Sequence, residues 1–453
     1  MVRLTLLRLL ILMRSGLLTT IHADDVPPPS VDALVRAAWQ DHAVVPAPFC
    51  SDELFIRRVT LDLIGRIPTV EERQNFLAQP DRSATIDRLL DGEEFSRAWA
   101  DLWTTQLYGY ADDSVDRDML TQWLEEQMRL RTPYDRIAQQ LVSSTGQSAF
   151  DGPVNFLLRY PEEPVVKVSR AFLGVRLDCA RCHDHPFDRW TQADFQRMNR
   201  FFDGMERQEV SSGNVSLVDV VREVDPADRP RFLTGAEPKT TQWRAEFGLF
   251  MTRSRPFARN FANRIWYHLL GRGIIHPVDD VSRDNQAALP TVLEWLADEA
   301  GRSEFDIRHM FRLICNSQAY QVQSIATRGD EERLRLFAVR SIKPLTPEQW
   351  YTSMSVAMGR EPKPEERMEF VRTFYGDALD GDFSSSWEYR ETVQGLMSRL
   401  VETVDPPTSQ TEDLFLRILG REPTSEERTF SQSRTAREVC FVLLHSSEFA
   451  FNH

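Results

Sequence analysis

The sequence predicts a mainly α-helical protein of two domains built from helix hairpins. Three observations carry that expectation. Apolar residues recur at helical spacing through most of the chain, runs with strand periodicity are rare, and a Gly-Arg-x-Pro-Thr corner that stops one helix and starts the next recurs near both ends. The 453 residues suffice for two or three domains with sizeable cores.

The first 23 residues read as an export signal. Met1-Val-Arg3 precedes a leucine-rich segment over 4–13, and Ile21-His-Ala23 offers small residues for cleavage before Asp24. Arg8 interrupts the apolar segment, and a mitochondrial-type presequence shares its arginines and lack of acids. The expected location is exported, periplasmic or extracellular. Beyond this signal no stretch approaches the roughly 18 apolar residues of a membrane span. The formal net charge of -14 leaves no basic face for phosphate contacts, so nucleic acid is not an expected partner.

An amino-terminal domain is expected over 24–205. A short helix over 30–42 lies among prolines. The next covers Asp52 to Ile64, with Gly65 as its stop, Pro68 preventing re-entry and Thr69-Val-Glu-Glu72 as a capping box. Gly65-Arg-Ile-Pro-Thr-Val-Glu-Glu-Arg73 returns as Gly420-Arg-Glu-Pro-Thr-Ser-Glu-Glu-Arg428, and more loosely as Gly359-Arg-Glu-Pro-Lys-Pro-Glu-Glu-Arg367. The plainer reading is a repeated structural corner rather than a binding motif. Helices follow over 83–90, 95–110, 120–130 and 134–142, and another over 165–177 is expected to run straight into Cys179. Past Gln192–Phe202, residues 206–245 lose helical periodicity. Their Val/Leu-rich run over 215–224 suggests a short β-hairpin, and this segment is taken as the domain junction. The carboxyl-terminal domain, 246–453, opens with a helix over 256–273 closed by glycine and ends with helices over 411–420 and 425–446.

Chemistry concentrates in Val175-Arg-Leu-Asp-Cys-Ala-Arg-Cys-His-Asp-His-Pro-Phe-Asp188. Cys179-Ala-Arg-Cys182-His183 has the spacing of c-type haem attachment: two thiols three residues apart add to two vinyl groups, and the following histidine reaches the iron. His185 lies too close to His183 to serve the opposite haem face. Met198, Met205 and His268 are the candidates there, and Arg272 is a candidate propionate partner. A non-haem zinc or iron site is the alternative, with Cys179, Cys182, His183, His185 and Asp188 as ligands and metal-assisted hydrolysis as its chemistry. A Cys179–Cys182 disulfide is the third reading. Cys315 and Cys440 lie in apolar helical surroundings and read as buried small hydrophobes. Asp279-Asp280 ahead of Asn285 reads as a solvated acidic loop before a calcium site. Nucleophile-elbow, P-loop, dinucleotide and H-E-x-x-H motifs are absent from the sequence.

The chain resembles planctomycete secreted proteins built from two paired domains of unknown function, often associated with a planctomycete cytochrome c domain. The resemblance rests on Phe55-Ile-Arg-Arg-Val-Thr-Leu-Asp-Leu-Ile-Gly-Arg-Ile-Pro-Thr69, Phe172-Leu-Gly-Val175 and Cys179-Ala-Arg-Cys-His-Asp-His185 for the first domain. For the second it rests on Phe257-Ala-Arg259, Asn263-Arg-Ile-Trp266, His268, Gly271-Arg-Gly273, Asp279-Asp280, 317–320 and the carboxyl end at 446–449. It implies export, an α-rich two-domain architecture and the company of secreted sulfatase-like proteins, and it brings no established activity. Pro186 and Arg189 stand where Lys and Pro are common in the family. The expected function is electron transfer or a redox reaction through covalent haem, with an unknown redox partner. A scaffold for a secreted polysaccharide-degrading or sulfatase-like partner is the non-enzymatic alternative.

Overall fold

The computed structural model describes residues 30–109, 117–185, 188–225, 228–282, 284–324, 329–375 and 406–453. The signal read over 1–23, and Pro186 and Phe187 of the cysteine motif, lie outside these residues. Helices dominate, and the sheets are small.

The helix Asp52–Ile64 holds the molecule together. Ser51 caps its start, and Gly65 ends it in the left-handed conformation at φ 71°. Every residue from Phe55 to Ile64 is buried, including Arg57, Arg58 and Asp62. A helix buried on all sides is normally apolar throughout, so these charges need partners. Arg57 donates to the carbonyls of Glu448 and Phe449 at 3.0 and 3.1 Å. Arg58 donates to His453, Tyr320 and Val322 carbonyls at 2.8, 2.6 and 2.9 Å. One helix thus ties the middle of the chain and its carboxyl end to the amino-terminal half.

Two cores flank this helix. The larger runs from Val31 to Val339 and draws on both sides of the 206–245 segment. Its aromatic centre stacks Tyr134 on Phe257 and Phe261, with centroids 5.2 and 4.4 Å apart. The smaller packs Leu61 and Ile67 against residues of 345–449, among them Trp350, Phe415 and Leu444. Cys315 and Cys440 are buried within these cores, as small hydrophobes should be.

The repeated corners are structural. Thr69 and Thr424 each close a capping box, with Glu72 and Glu427. Arg66 grips Glu72 and Glu94, while Arg421 grips Glu427 and Glu448, each guanidinium pairing with two carboxylates. Each guanidinium is thereby committed to its own corner. The same contacts set the angle between successive helices.

Two elements depart from the pattern read in the sequence. The hairpin is present, but only its second strand, Asn214–Asp219, draws on the 215–224 run; it pairs with Met205–Ser211 ahead of that run, because Gly213 at φ 78° permits a two-residue turn at 212–213. Gly146–Gln147 adds a third strand on its other edge. The helix expected over 165–177 is shorter. Pro164–Val168 passes into a π-helical turn, Ser169–Leu173, and ends at Gly174, φ 68°. A Cβ at Gly174 would meet Asn260 and Val281 at 2.9 Å, so tight packing against the second half breaks the helix there.

Candidate functional site

The break at Gly174 turns the chain outward. Val175 and Leu177 stay buried, and Asp178–Arg181 forms one 3₁₀ turn with Cys182 as its cap. Ala180 anchors that turn in the core, leaving Cys179, Arg181, Cys182 and His183 exposed. The two cysteines stand three residues apart, Cys179 within the turn and Cys182 at its cap. Both are free. His183 Nδ1 lies 2.7 Å from the Asp184 carbonyl oxygen. A carbonyl only accepts, so Nδ1 is the donor here, and in the neutral ring Nε2 keeps its lone pair.

The surrounding loop is held at several points. Gln192 Nε2 donates to the carbonyls of Arg181 and Cys182 at 3.3 and 3.2 Å. Its backbone N–H donates to Asp184 Oδ1 at 2.9 Å. The His185 N–H donates to the Trp190 carbonyl at 2.8 Å and closes the loop at its base. Arg181 pairs with Glu163. Asp188 turns its Oδ1 onto the Arg189 N–H at 2.7 Å. Among the described residues, no three His, Cys, Asp or Glu side chains stand together as a metal-holding group. Met198 is fully buried in the larger core, and Met205 opens the first hairpin strand, half-buried.

His268 stands elsewhere. It lies on the helix Arg255–Leu270, edge-on to Trp99 with centroids 4.7 Å apart, and bonds a backbone group of Asp62. None of these contacts is with the cysteine turn. Burial, reinforced by the Lys343 cation, lowers its pKa from 6.5 to about 3, so the ring is neutral near pH 7.

The group around Asp62 escaped the sequence reading. Its carboxylate accepts from Tyr320 Oη at 2.8 Å, Arg340 Nη2 at 2.7 Å and Asn452 Nδ2 at 2.8 Å, and it also pairs with Lys343. Burial alone would raise its pKa, but Lys343 and Arg340 outweigh burial and hold it below the ordinary carboxylate value. Burial pulls the Lys343 amine down to about 8 against the attraction of Asp62. The signal for Asp62 was an acid between Leu61 and Leu63. Arg340 and Lys343 sit in a stretch without periodicity and gave none.

Asp62, His268 and Lys343 line one wall of a cleft of about 1650 Å³. Asp279 lines it too, and its carboxylate is held by Arg170 and Arg176 at 2.8 and 2.9 Å. That pairing, rather than open solvent, accounts for the acidic loop. Arg272 has a buried Nε without a partner and belongs to no ion pair among the described residues.

Among the described residues, no helix is long and apolar enough to cross a membrane. No curated protein and no solved structure matches the chain. Two family models do. Residues 30–207 match PSCyt2, "Protein of unknown function (DUF1549)", and residues 248–373 match PSD1, "Protein of unknown function (DUF1553)". The first match contains the central helix and the cysteine turn, and the second contains His268 and the Asp279 loop. The chain therefore belongs with the planctomycete proteins built from these two paired domains of unknown function.

Proposed function

We propose that Cys179, Cys182 and His183 hold a covalently attached c-type haem, through which the protein serves electron transfer or a redox reaction. One observation supports this above the others. Two free, exposed thiols stand three residues apart at one turn and its cap, and the imidazole beside them turns Nδ1 to the Asp184 carbonyl, which leaves Nε2 of the neutral ring for a metal. When bound, haem supplies a one-electron redox couple.

The roles of the chain's own residues follow from chemistry. Cys179 and Cys182 would hold the group through thioether bonds, each giving its sulfur to one vinyl carbon and its proton to the other, with no external oxidant needed. His183 would hold the iron, its ring oriented by the Asp184 carbonyl. Glu163 and Gln192 hold the turn that carries all three. Met198, Met205 and His268 would be the candidates for a further iron ligand. The function belongs to an exported protein, periplasmic or extracellular, whose partner is a redox protein or a secreted sulfatase-like protein. Its domains are proposed to be 24–205 and 246–453, joined by 206–245.

The test is a pyridine haemochrome spectrum, with elemental analysis, on protein made in a periplasm that contains haem-attachment machinery. A covalent haem signal, lost in Cys179→Ala and Cys182→Ala, is the expected result. A colourless protein with stoichiometric zinc or iron overturns it in favour of the ligand set Cys179, Cys182, His183, His185 and Asp188.

A further inference from the structure

The cleft has an uncompensated cation in its wall. Most of its charged side chains are matched: Asp62 with Lys343 and Arg340, Asp101 with Arg367, and Asp279 with Arg170 and Arg176. Arg264 is different. Its Nη2 donates to the Arg170 carbonyl at 2.8 Å, and its Nε is buried without an acceptor. Among the described residues it forms no ion pair.

Asp279 is the carboxylate that acts on Arg264 electrostatically, and two other guanidinium groups already hold it. Burial lowers the pKa of Arg264, which is the electrostatic cost of holding a cation away from water. Tyr267 lines the same cleft, and its ring stacks on His276 at 5.9 Å. Trp99 and Phe156 line the same cleft.

A guanidinium without a paired carboxylate recognises a planar or tetrahedral oxyanion through charge-assisted hydrogen bonds. We propose that the cleft binds a ring-bearing organic oxyanion, its carboxylate, sulfate or phosphate held by Arg264 and the Tyr267 hydroxyl and its ring packed against the aromatic wall. The three head groups share the chemistry that Arg264 reads. Their shapes differ, so direct comparison tells which one the cleft takes.

Isothermal titration of the full chain with benzoate, phenyl sulfate and phenyl phosphate tests the proposal, with benzamide as the uncharged control. Saturable binding of at least one anion is expected, with none of benzamide. Arg264→Gln should weaken it roughly tenfold or more, the effect of losing a charge-assisted hydrogen bond. Tyr267→Phe, which removes one hydroxyl and keeps the ring, should weaken it several-fold with an unchanged melting temperature. Failure of all three anions to bind more tightly than benzamide overturns the proposal, as does wild-type affinity in both variants. The titration does not depend on haem, so its outcome is separate from that of the cysteine turn.

Discussion

His268 should make the protein acid-labile in a way that one substitution removes. Above pH 6.5 the ring is neutral in both folded and unfolded chains, and its contribution to stability is fully present. Between 6.5 and about 3 the unfolded chain takes up a proton that the folded chain refuses, because burial and the nearby Lys343 cation disfavour the imidazolium. The unfolded state then binds more protons, so stability falls as pH falls, by about 1.4 kcal/mol per unit. From pH 6.5 to 5 the loss from this residue is about 2 kcal/mol. Urea unfolding of the wild type and His268→Gln at pH 7.5, 6.5, 5.5 and 5 measures it. Gln keeps a donor for the Asp62 backbone and does not titrate, so its stability curve should be flatter over the acid range by that amount. His276 and His453 are also shifted downward and contribute to both proteins alike. Parallel curves for the two proteins would refute the assignment of a buried neutral ring.

Asp62→Asn leaves Arg340 and Lys343 charged in a buried site, and should cost about 3–5 kcal/mol by urea unfolding. Adding Lys343→Met should recover part of that loss; a double variant as unstable as the sum of the two singles would contradict the coupling. The two corners should differ in sensitivity, since the Arg66 side chain is 9% exposed and that of Arg421 is 32% exposed. Arg66→Ala is expected to cost about 3 kcal/mol and Arg421→Ala about 1 kcal/mol, measured as shifts in urea midpoint. Cys179→Ala, at an exposed position, should change stability by less than about 0.5 kcal/mol while abolishing haem attachment.

The helices were legible because their signals are local. Ser51, Thr69 and Thr424 cap them, Gly65 and Gly420 stop them, and apolar spacing marks the faces between. The turn that carries Cys179 and Cys182 was legible by its residue spacing, but its exposure was not. That exposure follows from Gly174 packed against Asn260 and Val281, a contact between distant parts of the chain that no local pattern announces. The same reason hid the Asp62 group. Its partners come from positions 320, 340, 343 and 452, so its neutralisation is visible only once the chain is folded. Arg264 was hidden differently. In sequence it is one arginine in an amphipathic helix, and only the carboxylates taken up by other arginines around it make it distinctive.

The segments that carry the family resemblance meet in the interior rather than at the cysteine turn. Asp62 belongs to the first, Gly174 to the second, and Asn263, His268, Asp279 and Tyr320 to the rest. Tyr320 binds Asp62, and Gly174 seats against Asn260 and accepts the Val281 N–H at 2.7 Å. Asn263 exchanges two hydrogen bonds with the backbone of Ile275, at 2.9 and 3.0 Å, and so fixes the loop that presents His276 and Asp279. Much of this sequence pattern therefore builds the walls of the cleft. The cysteine turn hangs from the same construction: Arg170 lines the cleft, Arg176 shares Asp279 with it, and Cys179 follows three residues later. A substitution that loosens Asp279, such as Asp279→Asn, should then disturb both places at once. Two arginines lose their shared carboxylate, the cleft gains positive charge beside Arg264, and the segment leading to the thiols loses its tether. Measured together, anion affinity and haem incorporation should both respond to Asp279→Asn, whereas Cys179→Ala should alter incorporation alone.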